Sequence, residues 1–423
     1  MSRIVDVNGI EAFDSRGNPT ILAAVTTSDG HKSSALVPSG ASVGSLEAVE
    51  MRDGDAGRFQ GRGVRKALQG ITQEIKGALV GKSVEDQAEI DKTLCDLDGT
   101  PNKARLGANA ILGVSLANAH AAAASKGLSL YRHINDLVGN PPMTLPVPML
   151  NVLNGGAHAN NNVDIQEFMV VPSGVEDFST AVQAAAEIFY TLKQNLASKG
   201  ISTAVGDEGG FAPDLSSDIE AIELLITAIE RSGWQLGEKI NLALDCAATE
   251  FFVDGHYRLE SQNRTLTREE WIDEMEEISS QFPAITSIED GIHESDYEGW
   301  KKLNQALGSK MQLVGDDLFV TNPGLLNRGI ADGWANAILI KLNQIGTLSE
   351  TLEVIQIAQS HGLGTVISHR SGDTEDTTIA DLAVGTSAGQ IKTGSMSRSE
   401  RVAKYNRLLQ INQELENPVY AGS

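Results

Sequence analysis

The chain after residue 150 repeats one pattern, a short apolar run that ends in polar or charged residues and is followed by a helical segment. The polar run-ends are Gln166, Asp245, Glu289 with Asp290, Asp316, Lys341, His369 with Arg370, and Lys392. From Asp316 onward they recur at intervals of roughly two dozen residues, enough for one strand, one helix and two loops. The pattern predicts an α/β fold of parallel strands with helical crossovers, closed into a barrel that buries its apolar strands.

The first part of the chain has a different order. Strand-like pieces at 21–27 and 34–37 precede helical stretches at about 64–80 and 107–124, an order that indicates an α+β unit. Because 423 residues exceed what one hydrophobic core usually serves, a smaller domain attached to a larger one is expected. The proline-rich stretch at 140–150 is the predicted boundary, which divides the chain into domains 1–138 and 139–423.

Charge and cysteine content restrict the partners and the compartment. The 56 acidic and 33 basic side chains give a net charge of −23, which argues against non-specific binding to nucleic acid or to anionic membranes. Two cysteines, Cys95 and Cys246, cannot form a disulfide framework, and the first residues lack the apolar core of a signal peptide. The alanine-rich tract from Ala119 is too short to span a bilayer. We therefore expect a cytoplasmic protein without membrane insertion.

Acids end three successive strands of the predicted barrel. In such barrels the active site lies at the carboxyl ends of the strands, so Asp245, Glu289 and Asp316 should converge. Converging carboxylates repel one another unless a cation lies among them, and a set of oxygen ligands favours Mg²⁺ over zinc. The sequence therefore predicts a Mg²⁺ site at this end of the barrel.

The stretch AILIKLNQIG at 337–346 is typical of a buried strand with Lys341 in its middle. A desolvated ammonium costs several kcal/mol without a partner, so Lys341 either extends its head to water or has a chemical role. Neighbouring cations and a metal would lower its pKa and let it accept a proton from a carbon next to a carboxylate. Lys392, and Arg370 beside Ser371, would meet an anionic substrate.

Two further stretches carry candidate groups. In GDEGGFAP, Glu208 follows Asp207 in a glycine-bracketed turn, where an acid can approach a leaving group closely. In LNGGAHANNNVDIQEFM, His158 precedes Glu167, although a lone histidine is more often structural than catalytic. These positions add a candidate general acid to the candidate base.

The chain resembles the enolase family over essentially its whole length. The matching stretches are EAFDSRGNPT, VPSGAS, EMRDGD, LGANAILGVSLA, NGGAHANNNVDIQEFM, GDEGGFAP, LALDCAATEF, SIEDGI, VGDDLFVTNP, ILIKLNQIGTLSET, ISHRSGDTEDT and IKTGSMSRSER. The fold implied is an N-terminal α+β domain that caps a modified (β/α)8 TIM-type barrel, usually as a homodimer or a dimer-based higher oligomer.

The resemblance also implies an activity, the reversible Mg²⁺-dependent dehydration of 2-phosphoglycerate to phosphoenolpyruvate. Lys341 would take the C2 proton, Mg²⁺ would stabilise the enediolate, and Glu208 with Glu167 would help the C3 hydroxyl leave. The candidate catalytic residues are Lys341, Glu208, Glu167 and His158, and the candidate substrate contacts are Gln166, His369, Arg370, Ser371 and Lys392. Asp245, Glu289 and Asp316 would hold the tighter of two Mg²⁺ ions, and Ser42 would contribute to the second, which arrives with the substrate.

Alternatives to this activity remain open. Val43 stands where enolases usually have threonine, and Asn160 stands in another loop expected to close on the substrate. These changes are compatible with a paralogue that dehydrates a phosphonate analogue of 2-phosphoglycerate. GASVG at 40–44 fits the nucleophile elbow of a serine hydrolase, but that role leaves the acids and Lys341 unexplained. A scaffold role, including display at the cell surface, is a third class that the sequence does not distinguish.

Overall fold

The computed structural model describes residues 2–40, 44–159 and 161–423. Its N-terminal part is an antiparallel sheet in the order β1-β2-β3, with helices packed against it. The elements are β1 (Ile4–Phe13), β2 (Pro19–Thr27), β3 (Lys32–Leu36), α1 (Arg65–Gly70), α2 (Lys76–Leu79), α3 (Gln87–Asp98), α4 (Ala108–Ser125) and α5 (Leu130–Leu137). A π-helical turn at Ile71–Ile75 joins α1 and α2. The α+β prediction is confirmed, although β1, α3 and α5 were not predicted.

Helix α4 connects this sheet to the rest of the protein. Its sequence is apolar on all sides, and a helix of that kind is stable only when neighbours cover it all round. On one side α4 packs against β2 and β3, where a side chain at Gly113 would come within 3.0 Å of Ala23 Cβ. The small residues of α4 therefore allow the sheet to lie close to the helix.

The C-terminal part is built around a closed barrel of eight strands in the order β11-β12-β13-β14-β15-β5-β6-β7. The strands of the whole C-terminal part, inside and outside the barrel, are β4 (Thr144–Leu145), β5 (Val147–Asn154), β6 (Glu167–Val171), β7 (Asn241–Asp245), β8 (Phe252–Val253), β9 (His256–Leu259), β10 (Arg264–Leu266), β11 (Ile285–Glu289), β12 (Gln312–Gly315), β13 (Ala337–Ile340), β14 (Gly364–Ser368), β15 (Gly389–Lys392) and β16 (Val419–Tyr420). Strands β8, β9 and β10 form a small separate sheet, and β4 pairs with β16.

The helices of this part are α6 (Phe178–Ser198), α7 (Asp218–Arg231), α8 (Arg268–Gln281), α9 (Tyr297–Leu307), α10 (Pro323–Asp332), α11 (Leu342–Ile345), α12 (Leu348–Ser360), α13 (Thr378–Gly385) and α14 (Ser399–Glu414). Two helices follow the first two barrel strands, and from β7 onward each barrel strand is followed by at least one helix, with β8, β9 and β10 inserted before α8 and with both α11 and α12 after β13. The predicted α/β barrel is confirmed. In the part of the chain that the structure describes, no helix has the length and apolar character needed to cross a membrane.

One barrel strand runs opposite to the prediction. Strand β6 pairs antiparallel with both β5 and β7, whereas the other barrel neighbours are parallel. Gln166 and Glu167 therefore do not follow the carboxyl end of a strand, as the sequence pattern indicated, but lie at the start of one. Because β6 is reversed, its start lies at the same rim as the carboxyl ends of its neighbours, with Glu167 paired to Asn154 and Asp245.

Candidate active site

The barrel rim brings most of the predicted functional side chains together around one cavity. Strands β7, β11 and β15 end at Asp245, Glu289 and Lys392. The cavity is lined by His158, Gln166, Glu167, Glu208, Asp245, Ala247, Glu250, Asp290, Asp316, Asp317, Lys341, Ser368, His369, Arg370, Ser371 and Lys392. Ser42, Val43 and Asn160 lie outside the described residues.

Lys392 lies among the carboxylates at this rim. Its Nζ is 2.9 Å from Asp245 Oδ2 and from both carboxylate oxygens of Glu289, and 3.2 Å from Glu167 Oε2. Burial lowers the pKa of Lys392, but these acids outweigh burial and hold the pKa well above its ordinary range. Lys392 is therefore a charged residue that links its own strand β15 to the strands β6, β7 and β11.

Lys341 is the first residue after β13, not the middle of a strand, because the strand ends at Ile340 and α11 begins at Leu342. Its side chain is only 15% exposed, and its ammonium pairs with the Asp316 carboxylate. Lys341 therefore does not simply extend to water. Burial lowers its pKa, but Asp316 outweighs burial and holds the pKa above its ordinary value, opposite to the direction expected from the sequence. The expectation from the sequence took into account neighbouring cations and a metal, but not the direct contact between Lys341 and Asp316.

A second group of titratable side chains surrounds Glu208. Nδ1 of His158 lies 3.2 Å from Glu167 Oε1 and 3.7 Å from Glu208 Oε1. Burial lowers the pKa of His158, but the two carboxylates outweigh it and raise the pKa to about 9. Burial and repulsion from Glu208 raise the pKa of Glu167 to about 7. The buried pair of carboxyls can therefore hold a proton near neutral pH, and Glu167 is the member of the pair that favours the protonated form.

Glycines hold the Glu208 turn against the barrel. Gly209 has a φ of +88°, and a Cβ there would lie 2.4 Å from the Ser397 carbonyl oxygen. At Gly210 a Cβ would lie 2.8 Å from the Asn151 carbonyl oxygen. The Asn151 amide donates to Glu208 Oε2 at 3.0 Å. These glycines therefore permit a close approach of protein backbone, which fixes the position of the Glu208 carboxylate.

Arg370 is held in place by an ion pair with Glu47, a residue of the N-terminal part of the chain. Its guanidinium donates to Glu47 Oε2 and Oε1 at 2.8 and 3.2 Å and to Asn343 Oδ1 at 3.0 Å. Glu47 Oε1 also accepts from the Gln344 amide at 3.3 Å, and that amide donates to Asp316 Oδ1 at 2.9 Å. One chain of polar contacts thus runs from Glu47 to Asp316.

The residues at the rim fit a divalent cation. The predicted ligands Asp245, Glu289 and Asp316 are buried and offer only oxygen atoms. Acidic side chains outnumber lysines and arginines in the cavity lining, and Gln166 Oε1 is buried without a hydrogen-bond partner among the described residues. Carboxylate oxygens of Asp290, Asp316 and Asp317 also lie within 4.8 Å of one another. A cation at this rim would relieve the repulsion between these acids.

Sequence reasoning missed residues that support this site. Glu47 and Asn151 stand in stretches that carry no metal-binding or catalytic pattern, and nothing in the spacing of Gln344, three residues after Lys341, indicates its contact with Asp316. Arg401 lies in the stretch IKTGSMSRSER, which carries part of the family resemblance, but the sequence does not show that its side chain reaches the rim from α14. The available signal was therefore the resemblance of the stretch and not a spacing of chemical groups.

Comparison with known families agrees with this geometry. The family model of the enolase N-terminal domain matches residues 4–134. The family model of the enolase C-terminal TIM barrel domain matches residues 142–423. Both parts of the chain are thus matched in the order that enolases have. The chain therefore belongs to the enolase family of metal-dependent dehydratases.

Proposed function

We propose that this protein dehydrates 2-phosphoglycerate to phosphoenolpyruvate and catalyses the reverse hydration. The observation that carries the proposal is that Lys341 and the Glu167–Glu208 pair line one cavity together with the acids Asp245 and Asp316. A reaction that removes a proton from one carbon and a hydroxyl from the next needs a base and an acid in one such cavity.

The base in this proposal is Lys341, which accepts the C2 proton. For this step its Nζ must be neutral, and burial and the charge of Arg370 favour the neutral form while Asp316 opposes it. A divalent metal, proposed to be Mg²⁺, would supply positive charge for the second negative charge of the deprotonated substrate and would compete with Lys341 for Asp316. Asp245, Glu289 and Asp316 are the proposed ligands of one ion, and Ser42 is a proposed contributor to a second.

The acid in this proposal is Glu208, which donates a proton to the departing C3 hydroxyl. Burial and repulsion from Glu208 raise the pKa of Glu167 to about 7, which supports a proton on this carboxyl near neutral pH, and His158 lies beside both acids. We propose that Glu167 and His158 keep a proton available beside Glu208. In the hydration direction the same groups would take a proton from water.

The substrate in this proposal is a small phosphorylated carboxylate. Arg370 and Ser371 would bind its phosphate, because an arginine guanidinium can donate two parallel hydrogen bonds to phosphate oxygens. Lys392 would contact the carboxylate, although in the structure it also neutralises three acids. Gln166 and His369 would complete the lining.

The alternative substrate is a phosphonate analogue of 2-phosphoglycerate, a proposal based on Val43 and Asn160 in the sequence. The test measures kcat/KM for both compounds with Mg²⁺ present. We expect a kcat/KM for 2-phosphoglycerate of roughly 10⁴–10⁸ M⁻¹s⁻¹ and a lower value for the phosphonate. A value for 2-phosphoglycerate several orders below this range, with efficient turnover of the phosphonate, would replace the proposal by the alternative.

We also propose that the protein is a cytoplasmic homodimer or a dimer-based higher oligomer. Strand β1 carries the exposed apolar side chains Val5, Ile10 and Phe13, and exposed apolar side chains of this kind are a candidate subunit contact. The net charge of −23 gives no support for binding of nucleic acid. Sedimentation of the protein at several concentrations would measure its oligomeric state.

A further inference from the structure

Arg401 is a fully buried arginine beneath the candidate active site. It lies in the first turn of α14, and its side chain is 0% exposed. Its guanidinium donates to the carbonyl oxygens of Arg370 at 2.6 Å and of Ser371 at 2.7 Å, and more weakly to that of Asp207 at 3.3 Å. Arg401 thus joins two loops that supply side chains to the cavity.

The same guanidinium contacts His369. Nη1 of Arg401 lies 2.5 Å from Nδ1 of the imidazole. An arginine side chain is always charged in proteins and can only donate hydrogen bonds, so Nδ1 must be the unprotonated, accepting nitrogen. A neutral imidazole carries one proton, which must then be on Nε2.

Nε2 of His369 is the nitrogen on the side of Glu208. It lies 3.4 Å from Glu208 Oε2 and has no aligned hydrogen-bond partner among the described residues. His369 is 3% exposed and lines the cavity, so this N–H is a buried donor still available to a bound molecule.

The surroundings also oppose a second proton on His369. An imidazolium would place two positive charges 2.5 Å apart, at Nδ1 and at Arg401 Nη1. The acids Glu208 and Asp373 are the opposing charges near the ring, and Asp373 already pairs with Lys404 at 3.0 Å. Burial and the positive charge of Arg401 lower the pKa of His369 to about 4, although the Glu208 carboxylate acts in the opposite direction.

We propose that Arg401 is a positioning residue that fixes His369 in the tautomer with its proton on Nε2, so that the imidazole presents a neutral N–H donor beside Glu208. The tautomer of His369 does not depend on a substrate, and its importance for catalysis rests on the proposed function. In the dehydration the donor would direct the C3 hydroxyl of the substrate toward Glu208. An imidazole with its proton on Nδ1 would present a lone pair there instead.

The experiment is a long-range ¹H–¹⁵N correlation spectrum of the full-length protein labelled with ¹⁵N-histidine, recorded without substrate from pH 8 to pH 5. The spectrum distinguishes the two neutral tautomers and the imidazolium, and the signals lost in His369→Asn identify His369. We expect a neutral imidazole with its proton on Nε2 throughout. A proton on Nδ1, or an imidazolium above pH 6, would overturn the proposal.

Variants of Arg401 test whether its guanidinium sets the tautomer of His369. A glutamine amide can also accept a hydrogen bond, so Arg401→Gln should give a mixture of tautomers and lower kcat roughly 10- to 100-fold with a smaller change in KM. Arg401→Lys keeps a charged donor and should restore the Nε2–H tautomer. Arg407→Gln is the matched control, because Arg407 lies on the same helix and pairs with Asp381 away from the cavity.

The outcomes separate this inference from the proposed function. An unchanged tautomer in a folded Arg401→Gln protein would show that Arg401 does not set it, and if that variant fails to fold, the wild-type spectrum and Arg401→Lys decide. A protein that shows the Nε2–H tautomer but does not convert 2-phosphoglycerate would support the inference and contradict the proposed function.

Discussion

Arg370 and Glu47 form a two-point ion pair between the barrel and the N-terminal part of the chain, with nitrogen–oxygen distances of 2.8 and 3.2 Å. Both side chains are 4% exposed. Arg370 is the proposed phosphate contact, so a phosphate that approaches it must share the guanidinium with the Glu47 carboxylate. We therefore expect Glu47 to hold Arg370 in place in the free protein and to compete with a phosphate for its guanidinium.

The first prediction concerns this pair. Glu47→Gln should lower the free energy of unfolding by about 2–4 kcal/mol, because it removes a directly paired negative charge from a buried guanidinium. The same change should strengthen binding of inorganic phosphate at least about fivefold, because it removes a competing anion. Urea unfolding and calorimetric titration measure the two effects, with Glu50→Gln as a control in the same segment. Unchanged or weaker phosphate binding would show that Glu47 does not compete at this site.

The second prediction concerns the proposed base. Lys341→Ala should slow exchange of the C2 proton of 2-phosphoglycerate with deuterium from solvent by at least roughly 10²–10⁴-fold, the usual range for a positioned base. Substrate should still bind, because Arg370 and Lys392 remain. Proton NMR measures the exchange, and Lys302→Ala, an exposed lysine paired with Glu269, is the control. Exchange at the wild-type rate would exclude Lys341 as the base.

The third prediction separates the acid from the base. Glu208→Gln should retain C2 exchange but lose dehydration, because an amide cannot pass a proton held by Glu167 and His158 to the leaving hydroxyl as a carboxyl group can. Asn151 can still hydrogen-bond to the new side chain, so the local structure should persist. Exchange and product formation are measured on the same samples, with the exposed Glu230→Gln as control. Equal loss of both activities would contradict the division of roles.

The fourth prediction concerns His133, which is fully buried in α5 away from the cavity. Burial, reinforced by Lys126, lowers its pKa from 6.5 to about 4. Between these values the unfolded chain binds the proton and the folded chain does not, so stability present above pH 6.5 is lost as the pH falls toward 4. The loss should be on the order of 2 kcal/mol. Urea unfolding at several pH values should show a weaker dependence in His133→Leu, and parallel curves for both proteins would contradict the assignment.

Much of the barrel was predictable because each strand end carries a polar residue that interrupts an apolar run. Asp245, Glu289 and Lys392 stand at the strand ends that the pattern indicated. The direction of β6 was not predictable, because an apolar run reads the same for a strand in either direction. Glu167 lies at the rim because β6 is reversed, and the sequence pattern does not indicate that reversal.

The contacts between side chains within the site also could not be predicted from the sequence. The pattern placed Lys341 and Asp316 at neighbouring strand ends, but it did not show that they contact each other and that this contact raises the pKa of Lys341. Glu47 could not be identified from spacing, because it lies 323 residues before Arg370 in the chain. Arg401 could not be identified either, because no spacing shows that a side chain of α14 turns back to His369. The division between domains after residue 138 stays a prediction, and so do the metal and substrate roles of the site residues.

Dehydration of 2-phosphoglycerate by this protein can be measured from the ultraviolet absorbance of the purified protein mixed with the substrate, with and without Mg²⁺ and with a chelator. We expect a fast rise in absorbance from the new conjugated double bond that requires Mg²⁺ and stops when the chelator is added. No rise from a folded, Mg²⁺-loaded protein would contradict the claim that this chain dehydrates 2-phosphoglycerate.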